Sequence, residues 1–377
     1  MSNINYYMKI GILGTRGIPN NHGGFEQLAE YLSVYLVSKG HDVYVYNTHT
    51  HPFQKKTWNG VKIVHCFDLE HKIGTAGQFI YDLNCIRDSR KRHFDVLLQL
   101  GYTSSSIWYK LLPKKAIILT NMDGLEWKRT KYSKPVRRFL KMAEKFAAVS
   151  SDFLISDSIA IKSYIRDKYN RDSEFIAYGA NLFTNESENI LEEYQIEKYK
   201  YNMLIARLEP ENNIETILDG VGNSDTELPF LVIGKHETKF GEFLKNKFSK
   251  DKRIKFLGGI YNIVHLDNLR YYSNLYFHGH SVGGTNPSLL EAMASSSLII
   301  AHDNPFNRSI LNDDAFYFLN SEDVKGHLSK FKDKFQQKID TNIEKIELEF
   351  SWPIINGKYE KYMLHLCNNE KSYNESL

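Results

Sequence analysis

Cysteine is scarce in this chain. Three residues occur among 377, Cys66, Cys85 and Cys367, and no two of them form a C-x-x-C pair. An odd, scattered set in a chain of this length argues against a disulfide framework and against a metal site built from cysteine. The sequence therefore predicts reduced thiols, as in a protein of the cytosol.

Long apolar runs and an excess of one charge are also missing. Apolar stretches such as "AAVSSDFLI" fall far short of the roughly 20 residues that a membrane-spanning helix needs. The first residues show no basic-then-apolar signal region. The formal net charge is +3, too small to indicate that the protein as a whole binds nucleic acid. We expect a cytoplasmic protein that does not bind nucleic acid.

The first half of the chain alternates short apolar runs with longer amphipathic segments. Five runs are typical of buried strands: "MKIGILG", "HDVYVYN", "VKIVHC", "FDVLLQLG" and "KAIILTN". Helical segments, such as residues 23–40 and 76–92, separate most of them. Nearly continuous apolar strands that alternate with helices predict a parallel, doubly wound α/β sheet.

A polar segment at residues 176–198 interrupts this pattern and is typical of a linker. A second α/β alternation then runs from "YNMLIARLEP" to "LIIAHD", and a lysine-rich helical tail follows. The sequence thus predicts two similar α/β domains, residues 1–185 and 186–350, with a cleft between them. Because ligands bind beyond the carboxyl ends of strands in such sheets, the loops that follow strands are the candidate sites.

The first strand is followed by a glycine-rich loop that contains Gly14, Gly17, Gly23 and Gly24. Glycines let backbone N–H groups approach an anion, and the next helix adds the positive end of its dipole. The spacing differs from G-x-G-x-x-G, and Asn47 stands where a dinucleotide site would have an acidic residue. An anion site without nicotinamide and a loop without ligand both remain open.

Asp123 and Gly124 follow the fifth strand. A carboxylate at this point could orient or deprotonate an acceptor hydroxyl, and it could equally cap the helical turn that "DGLEW" opens. We expect both residues to contact an acceptor.

A basic run with interleaved aromatic residues comes next in the chain. Its members are Lys128, Arg129, Lys131, Lys134, Arg137, Arg138, Lys141 and Lys145, with Trp127, Tyr132 and Phe139 among them. A cationic amphipathic segment suits an anionic membrane surface, and a solvated helix face is the alternative. We expect residues 128–145 to contact the inner face of the plasma membrane.

Two loops of the second domain carry the signals of an anion site. Arg207 follows the first strand and could clamp phosphate oxygens, or could pair with an acidic neighbour. Gly283, Gly284 and Thr285 place N–H groups ahead of a helix that we expect to begin at Pro287. Glu291, about one turn into that helix, suits sugar hydroxyls as a hydrogen-bond acceptor. A diphosphate beside ribose-like hydroxyls describes a nucleotide.

These residues resemble those of the retaining glycosyltransferases of GT-B type, family 4. "ARLEPENN" is similar to the family's G-R-L-x-x-x-K motif, and "GGTNPSLLEAMASSSLIIA" to its E-x7-E region. "FSWPIINGKYEKYM" looks like the family's closing helix, so residues 351–377 are expected to return to the first domain. "GTRGIPNNHGGFEQ", "NMDGLEWKR" and "GGTNPSLLEAM" together are similar to a bacterial subgroup with rhamnosyltransferases of capsule and cell-surface polysaccharide.

The resemblance implies two tandem Rossmann-like domains that transfer a sugar from a nucleoside diphosphate to a glycan, with retained anomeric configuration and without a metal. We expect an acceptor on a lipid such as a polyprenyl diphosphate, and roles in catalysis for Asp123 and Arg207. The expected donor-binding residues are Gly23, Gly24, Arg207, Gly283, Gly284, Thr285, Asn286 and Glu291.

Two positions depart from the family's motifs. Gly283 replaces the first Glu of E-x7-E, and Asn212 replaces the Lys of the arginine motif. The missing carboxylate favours a deoxysugar donor such as dTDP-rhamnose. Two alternatives remain: a nucleotide-sugar 2-epimerase that uses Asp123 with one of His22, His278 or His280, and a non-catalytic nucleotide-sugar-binding protein.

Overall fold

The computed structural model describes residues 6–21, 23–122, 124–129 and 132–375, with residues 370–375 described by their backbone alone. Contacts divide the chain into two compact units. The first unit contains Met1–Trp127, Lys134–Ala177 and Trp352–Leu377, and the second contains Lys128–Ser133 and Tyr178–Ser351. The main division thus follows Ala177, whereas the sequence placed it after residue 185.

The first unit is built on one sheet of eight strands. The strands are β1 (Lys9–Leu13), β2 (Asp42–Thr48), β3 (Thr57–Trp58), β4 (Val61–Cys66), β5 (Val96–Leu100), β6 (Ile117–Asn121), β7 (Phe153–Ser156) and β8 (Glu174–Phe175). Their order is β3-β4-β2-β1-β5-β6-β7-β8, and every neighbouring pair except β3 with β4 is parallel. The predicted parallel sheet is confirmed, and it extends over three short strands that the sequence pattern did not reveal.

Helices connect these strands. They are α1 (Gly24–Ser38), α2 (Glu70–Ile73), α3 (Gly77–Ser89), α4 (Lys134–Ser150) and α5 (Ile159–Tyr169). Helix α1 forms because Leu28, Leu32 and Leu36 recur every fourth residue and bury one face. It ends where the sequence predicted, since Gly40 has a φ of 92° that favours glycine.

The second unit contains a six-stranded sheet. The strands are β9 (Asn202–Ile205), β10 (Phe230–Ile233), β11 (Ile254–Gly258), β12 (Leu275–His278), β13 (Ile299–His302) and β14 (Phe316–Phe318). Their order is β11-β10-β9-β12-β13-β14, and all neighbours are parallel. The chain builds outward in one direction from β9 and then returns to build in the other from β12. The point of reversal lies between these two central strands.

The second unit also contains helices. They are α6 (Ile190–Glu193), α7 (Ile214–Gly222), α8 (Lys239–Lys247), α9 (Ile263–Tyr271), α10 (Pro287–Ala294), α11 (Pro305–Leu311), α12 (Ser321–His327) and α13 (Gln336–Lys345). One apolar cluster contains Leu204, Val232, Phe277 and Ile300 from four strands and Ile217 and Leu218 from α7. Burial of such apolar area is the main stabilising contribution to a fold of this kind.

The predicted linker, residues 176–198, is not a free connection. The Phe183 amide donates to the carbonyl of Ala294 at 3.1 Å, and the Ser187 amide donates to Asn268 Oδ1 at 2.7 Å. Its polar composition therefore serves fixed hydrogen bonds to the second unit. The division between the two units, after Ala177, lies at the start of this segment.

The last helix, α14 (Trp352–Glu375), belongs to the first unit. The Trp352 ring stacks on Tyr31 with centroids 4.4 Å apart, and Asn121 Nδ2 donates to the Tyr359 hydroxyl at 2.9 Å. Within the described residues, no helix is both long enough and apolar enough to cross a bilayer.

Candidate functional site

The second unit's candidate site lies at the carboxyl ends of β9 and β12, which pair directly. Arg207 follows β9, and the segment from Gly279 to Asn286 follows β12. In open parallel sheets, the crevice outside such a reversal is where ligands bind. The fold therefore brings Arg207 and the predicted glycine loop to one edge of one sheet.

A short 3-10 turn, Pro210–Asn212, ties the two loops together. Asn212 Nδ2 donates to the carbonyl of Arg207 at 2.6 Å. Ser281 donates from both its amide and its hydroxyl to the carbonyl of Glu211, at 3.1 Å and 2.8 Å. Asn212, where the resemblance places a lysine, thus holds the Arg207 backbone through its side chain.

Gly279 is required by this close approach. A Cβ added at Gly279 would lie 2.0 Å from the carbonyl oxygen of Asn212, a backbone atom that cannot swing away. We expect Gly279→Ala to lower the free energy of unfolding by about 1–3 kcal/mol, as overpacked sites do. Chemical denaturation measures the change. Gly222→Ala is the matched control, because its added Cβ meets nothing within 4 Å, and an equal loss in both variants would contradict the assignment.

Arg207 is exposed, and its guanidinium forms no ion pair with the residues that the structure describes. The sequence left open a pairing with an acidic neighbour. One such neighbour, Glu211, instead lies 3.7 Å from Arg129 NH1. The Arg207 charge nevertheless acts locally, because it helps to lower the pKa of His280. The N–H groups of the planar Arg207 guanidinium are therefore available to bind an anion at this edge of the sheet.

The loop that contains Gly283 and Gly284 presents backbone donors at the same edge. In the described part of the chain, neither amide N–H finds an acceptor. Gly283 has a φ of 137°, and a Cβ added there would meet nothing within 4 Å. Helix α10 begins at Pro287, as predicted, and Asn286 Oδ1 caps it by accepting from the Ser288 amide at 2.9 Å. The sequence assigned Asn286 to the donor, and that role stays a prediction.

Glu291 lies in α10, and it is bound by a residue that the sequence did not reveal. Arg270 NH2 donates to Glu291 Oε2 at 2.6 Å, and Arg270 NH1 donates to Asp267 Oδ1 at 2.9 Å. Arg270 is only 1% exposed. Burial alone would lower its pKa, but the Glu291 and Asp267 carboxylates offset this effect and raise it. Glu291 is thus fixed in direction by a buried cation.

Two histidines lie beneath this edge. His278 ends β12, and its ring stacks on that of His280, with centroids 4.6 Å apart and an interplanar angle of 17°. Burial and the charge of Arg270 lower the pKa of His278 to about 3. Burial lowers the pKa of His280 well below its usual range, and His278, Arg207 and Arg129 lower it further. Both rings are therefore neutral near pH 7.

In the first unit, Gly23 precedes α1 in an extended conformation, and Gly24 is the first residue of the helix. The glycine-rich loop before them is held by Asn47, which accepts from the Ile18 amide at 3.1 Å and donates to the Ile18 carbonyl at 2.8 Å. Asn47 therefore has a structural role at the position where a dinucleotide site would have an acidic residue. Arg16 in this loop is bound by Glu70 through two hydrogen bonds, at 2.9 Å and 2.6 Å.

Asp123 and His22 lie outside the described residues, so their predicted roles stay predictions. Gly124 is buried, and its carbonyl accepts from the Tyr102 hydroxyl at 3.3 Å. Over the described ranges, no group of three or more His, Cys, Asp or Glu side chains is placed to hold a metal ion.

Two family models match the chain. Residues 7–181 match the Domain of unknown function (DUF1972), and residues 186–346 match Glycosyl transferases group 1. No curated protein matches the chain.

Solved structures resemble the chain over most of its length. Sucrose-phosphate synthase from Thermosynechococcus elongatus has a TM-score of 0.78 at 15% identity, over 95% of this chain and 99% of that one. HepE from Anabaena, in complex with UDP and glucose, has a TM-score of 0.73 at 14% identity, over 95% and 100%. The catalytic domain of starch synthase IV from Arabidopsis thaliana, bound to ADP and acarbose, has a TM-score of 0.72 at 13% identity, over 96% and 100%.

At these identities the likeness establishes the fold, two parallel-sheet Rossmann-like domains of GT-B type. The model match adds the class of enzyme. Residues 186–346 match the model for group 1 glycosyl transferases, and the chain is a glycosyltransferase of the GT-B fold.

Proposed function

We propose that the chain transfers a sugar from a nucleoside diphosphate to a hydroxyl of a glycan, with the anomeric configuration retained. The observation that carries this proposal is the edge of the second sheet, where the paired strands β9 and β12 are followed by Arg207 and by Gly283 and Gly284, whose amides have no acceptor in the described part of the chain. This combination suits a diphosphate, because backbone N–H groups, a helix N-terminus and a guanidinium all favour negative charge. HepE and starch synthase IV were solved with UDP and ADP, which supports the same ligand class.

The chemical difficulty in this reaction is charge separation. The diphosphate leaves as an anion while the sugar becomes oxocarbenium-like, so donors fixed before the reaction lower the barrier most effectively. Arg207 and the loop amides supply such donors, and we propose that they do so without a metal. We also propose that Asp123 positions the acceptor hydroxyl, that Gly124 contacts the acceptor, and that Gly23 and Gly24 contact the donor.

Rhamnose, from dTDP-rhamnose, is the donor sugar that we propose. Gly283 leaves open space where the resemblance implies a carboxylate for hexose hydroxyls. A deoxysugar with fewer hydroxyls to satisfy fits such a pocket wall better than glucose or mannose does. Capsular or cell-surface polysaccharide synthesis would be the setting.

A lipid-linked acceptor would require the enzyme to approach a membrane, and α4 has a face that suits this. Its exposed positions include four cations and three apolar side chains: Lys134, Arg138, Lys141, Lys145, Val136, Met142 and Val149. Two of the aromatic residues that the sequence placed on this surface point elsewhere. Trp127 donates to Glu144 at 2.8 Å, and Phe139 packs on Phe79 at 5.5 Å.

The membrane proposal predicts binding to vesicles of phosphatidylcholine with phosphatidylglycerol, and none to phosphatidylcholine alone. Because each surface cation contributes about 1 kcal/mol at an anionic bilayer, the triple variant Lys134→Ala, Arg138→Ala, Lys145→Ala should bind about 100-fold more weakly. Vesicle co-sedimentation at two salt concentrations measures this. The control variant Lys55→Ala, Lys56→Ala, Lys91→Ala removes equal charge from other exposed positions, and an equal loss there would contradict a surface specific to α4.

The transferase proposal is tested with the purified chain, labelled dTDP-rhamnose or UDP-glucose, and a lipid-linked glucose acceptor. We expect a glycoside whose NMR spectrum shows the donor's anomeric configuration, and equal rates with and without EDTA. An altered free nucleotide sugar without glycoside would indicate an epimerase. Binding without turnover would indicate a sensor, and either result would overturn the proposal.

A further inference from the structure

His280 is held rigidly at the site edge, two residues beyond the end of β12. Its carbonyl oxygen accepts hydrogen bonds from Asn304 Nδ2 at 3.0 Å and from Asn307 Nδ2 at 3.1 Å. Its ring rests on the ring of His278. The backbone and the ring plane of His280 are therefore both set by the fold.

The His280 ring has hydrogen-bonding capacity that the protein does not use. Its Nδ1 is buried and has no partner among the described residues. The residue as a whole is half-buried, and Nε2, unlike Nδ1, is not among the buried unpaired atoms, so Nε2 is the ring nitrogen open to a ligand. Polar atoms that are left unpaired inside a protein cost free energy, so each calls for an explanation, such as a ligand or an ordered water.

The His278 ring, beneath that of His280, has no nitrogen that a ligand could contact. His278 is 1% exposed, and both of its ring nitrogens are buried without a partner in the described structure. Of the two stacked rings, only that of His280 can reach a bound molecule.

The charges that face His280 determine whether its ring is protonated. Arg207 approaches from the loop after β9, Arg129 from Lys128–Ser133, and His278 from β12; all three disfavour the charged imidazolium, as burial does. The Glu211 carboxylate lies 3.7 Å from Arg129 NH1 and partly offsets that charge. A neutral imidazole has one N–H, which is better placed on accessible Nε2 than on Nδ1, where it would be buried without an acceptor.

We propose that His280 donates a hydrogen bond from Nε2–H to an oxygen of the sugar donor's β-phosphate, the phosphate that a nucleoside monophosphate lacks. This inference rests on the proposed function and adds a third kind of contact to Arg207 and the glycine amides. The diphosphate is the favoured partner because His280 lies within the field of two guanidiniums, where a bound anion is attracted. A neutral donor also avoids a third cation in the empty site.

Isothermal titration with a matched probe series tests the contact. The probes are UMP, UDP and UDP-glucose, and dTMP, dTDP and dTDP-rhamnose. His280→Phe keeps a ring for the stack but removes the N–H. We expect it to weaken the binding of diphosphates and nucleotide sugars by about tenfold or more, the effect of losing a hydrogen bond to a charged group, and to leave monophosphate binding unchanged. His280→Gln, whose amide can place an N–H near the Nε2 position, should recover part of the affinity.

His278→Phe is the matched control, because its nitrogens are sealed from ligand and a ring still supports His280. We expect its affinities to match those of the unmodified chain. If His280→Phe unfolds in a thermal melt, His280→Ala provides the same comparison.

The outcomes separate cleanly. A loss of equal size for the monophosphates would assign His280 to the nucleoside, and a loss confined to nucleotide sugars would assign it to the sugar; either overturns the diphosphate contact. Full affinity in His280→Phe overturns the inference and leaves the proposed function intact. Failure of the unmodified chain to bind any probe is instead the failure of the proposed function.

Discussion

Arg207→Ala should lower kcat/KM for sugar transfer by about 100-fold or more, the usual loss when one donor to a developing anion is removed. Arg207 is exposed and forms no ion pair in the described part of the chain, so its removal should leave the thermal unfolding temperature unchanged. Loss of rate without loss of stability is what a ligand-binding arginine predicts. Steady-state kinetics with the donor identified by the transfer assay measure the first quantity, and a thermal melt measures the second.

Two further variants sharpen the Arg207 prediction. Arg207→Lys keeps the charge but loses the planar fork, so we expect an intermediate rate. Lys250→Ala removes an exposed cation that precedes β11, at the amino end of the strands, and should have full activity. A fully active Arg207→Ala would remove the guanidinium from the proposed mechanism.

The sequence predicted those parts of the second unit in which local signals determine local structure. The apolar run "LYFHGH" predicted β12, and Pro287 predicted the start of α10 because proline fits the first turn of a helix. The loop glycines and Arg207 follow from the same logic, since ligands in parallel sheets lie beyond strand ends. Residues adjacent in sequence to a strand end could therefore be placed without a structure.

Contacts between elements that are distant in the chain could not be predicted from the sequence. Arg270 reads as an ordinary surface residue of α9, yet it is buried and bound to Glu291 on another helix. Asn47 looked like a missing acidic residue, yet it holds Ile18 by two hydrogen bonds. The strand β3 has two residues, too few to show any periodicity. Each of these features depends on pairing across the fold, which no local pattern records.

The contact between Arg270 and Glu291 gives the second large effect, this time on stability. Arg270→Met would leave the Glu291 and Asp267 carboxylates beside an apolar side chain without their cation. Breaking a buried pair on one side costs about 3–5 kcal/mol, and we expect a loss at the lower end because both carboxylates retain some exposure, 20% and 23% of their side chains. Chemical denaturation followed by circular dichroism measures the free energy of unfolding, because all four tryptophans lie in the first unit.

The double variant Arg270→Met, Glu291→Leu distinguishes a purely structural role of Glu291 from a role in binding the donor. Removing both charges together relieves most of the penalty, so we expect the double variant to be more stable than Arg270→Met alone. If Glu291 serves only to satisfy Arg270, activity should return together with stability. If Glu291 also accepts hydrogen bonds from the donor's sugar hydroxyls, the double variant should be folded yet at least about tenfold less active, because those hydroxyls lose their acceptor. We expect the second result, and a stable, fully active double variant would restrict Glu291 to a structural role.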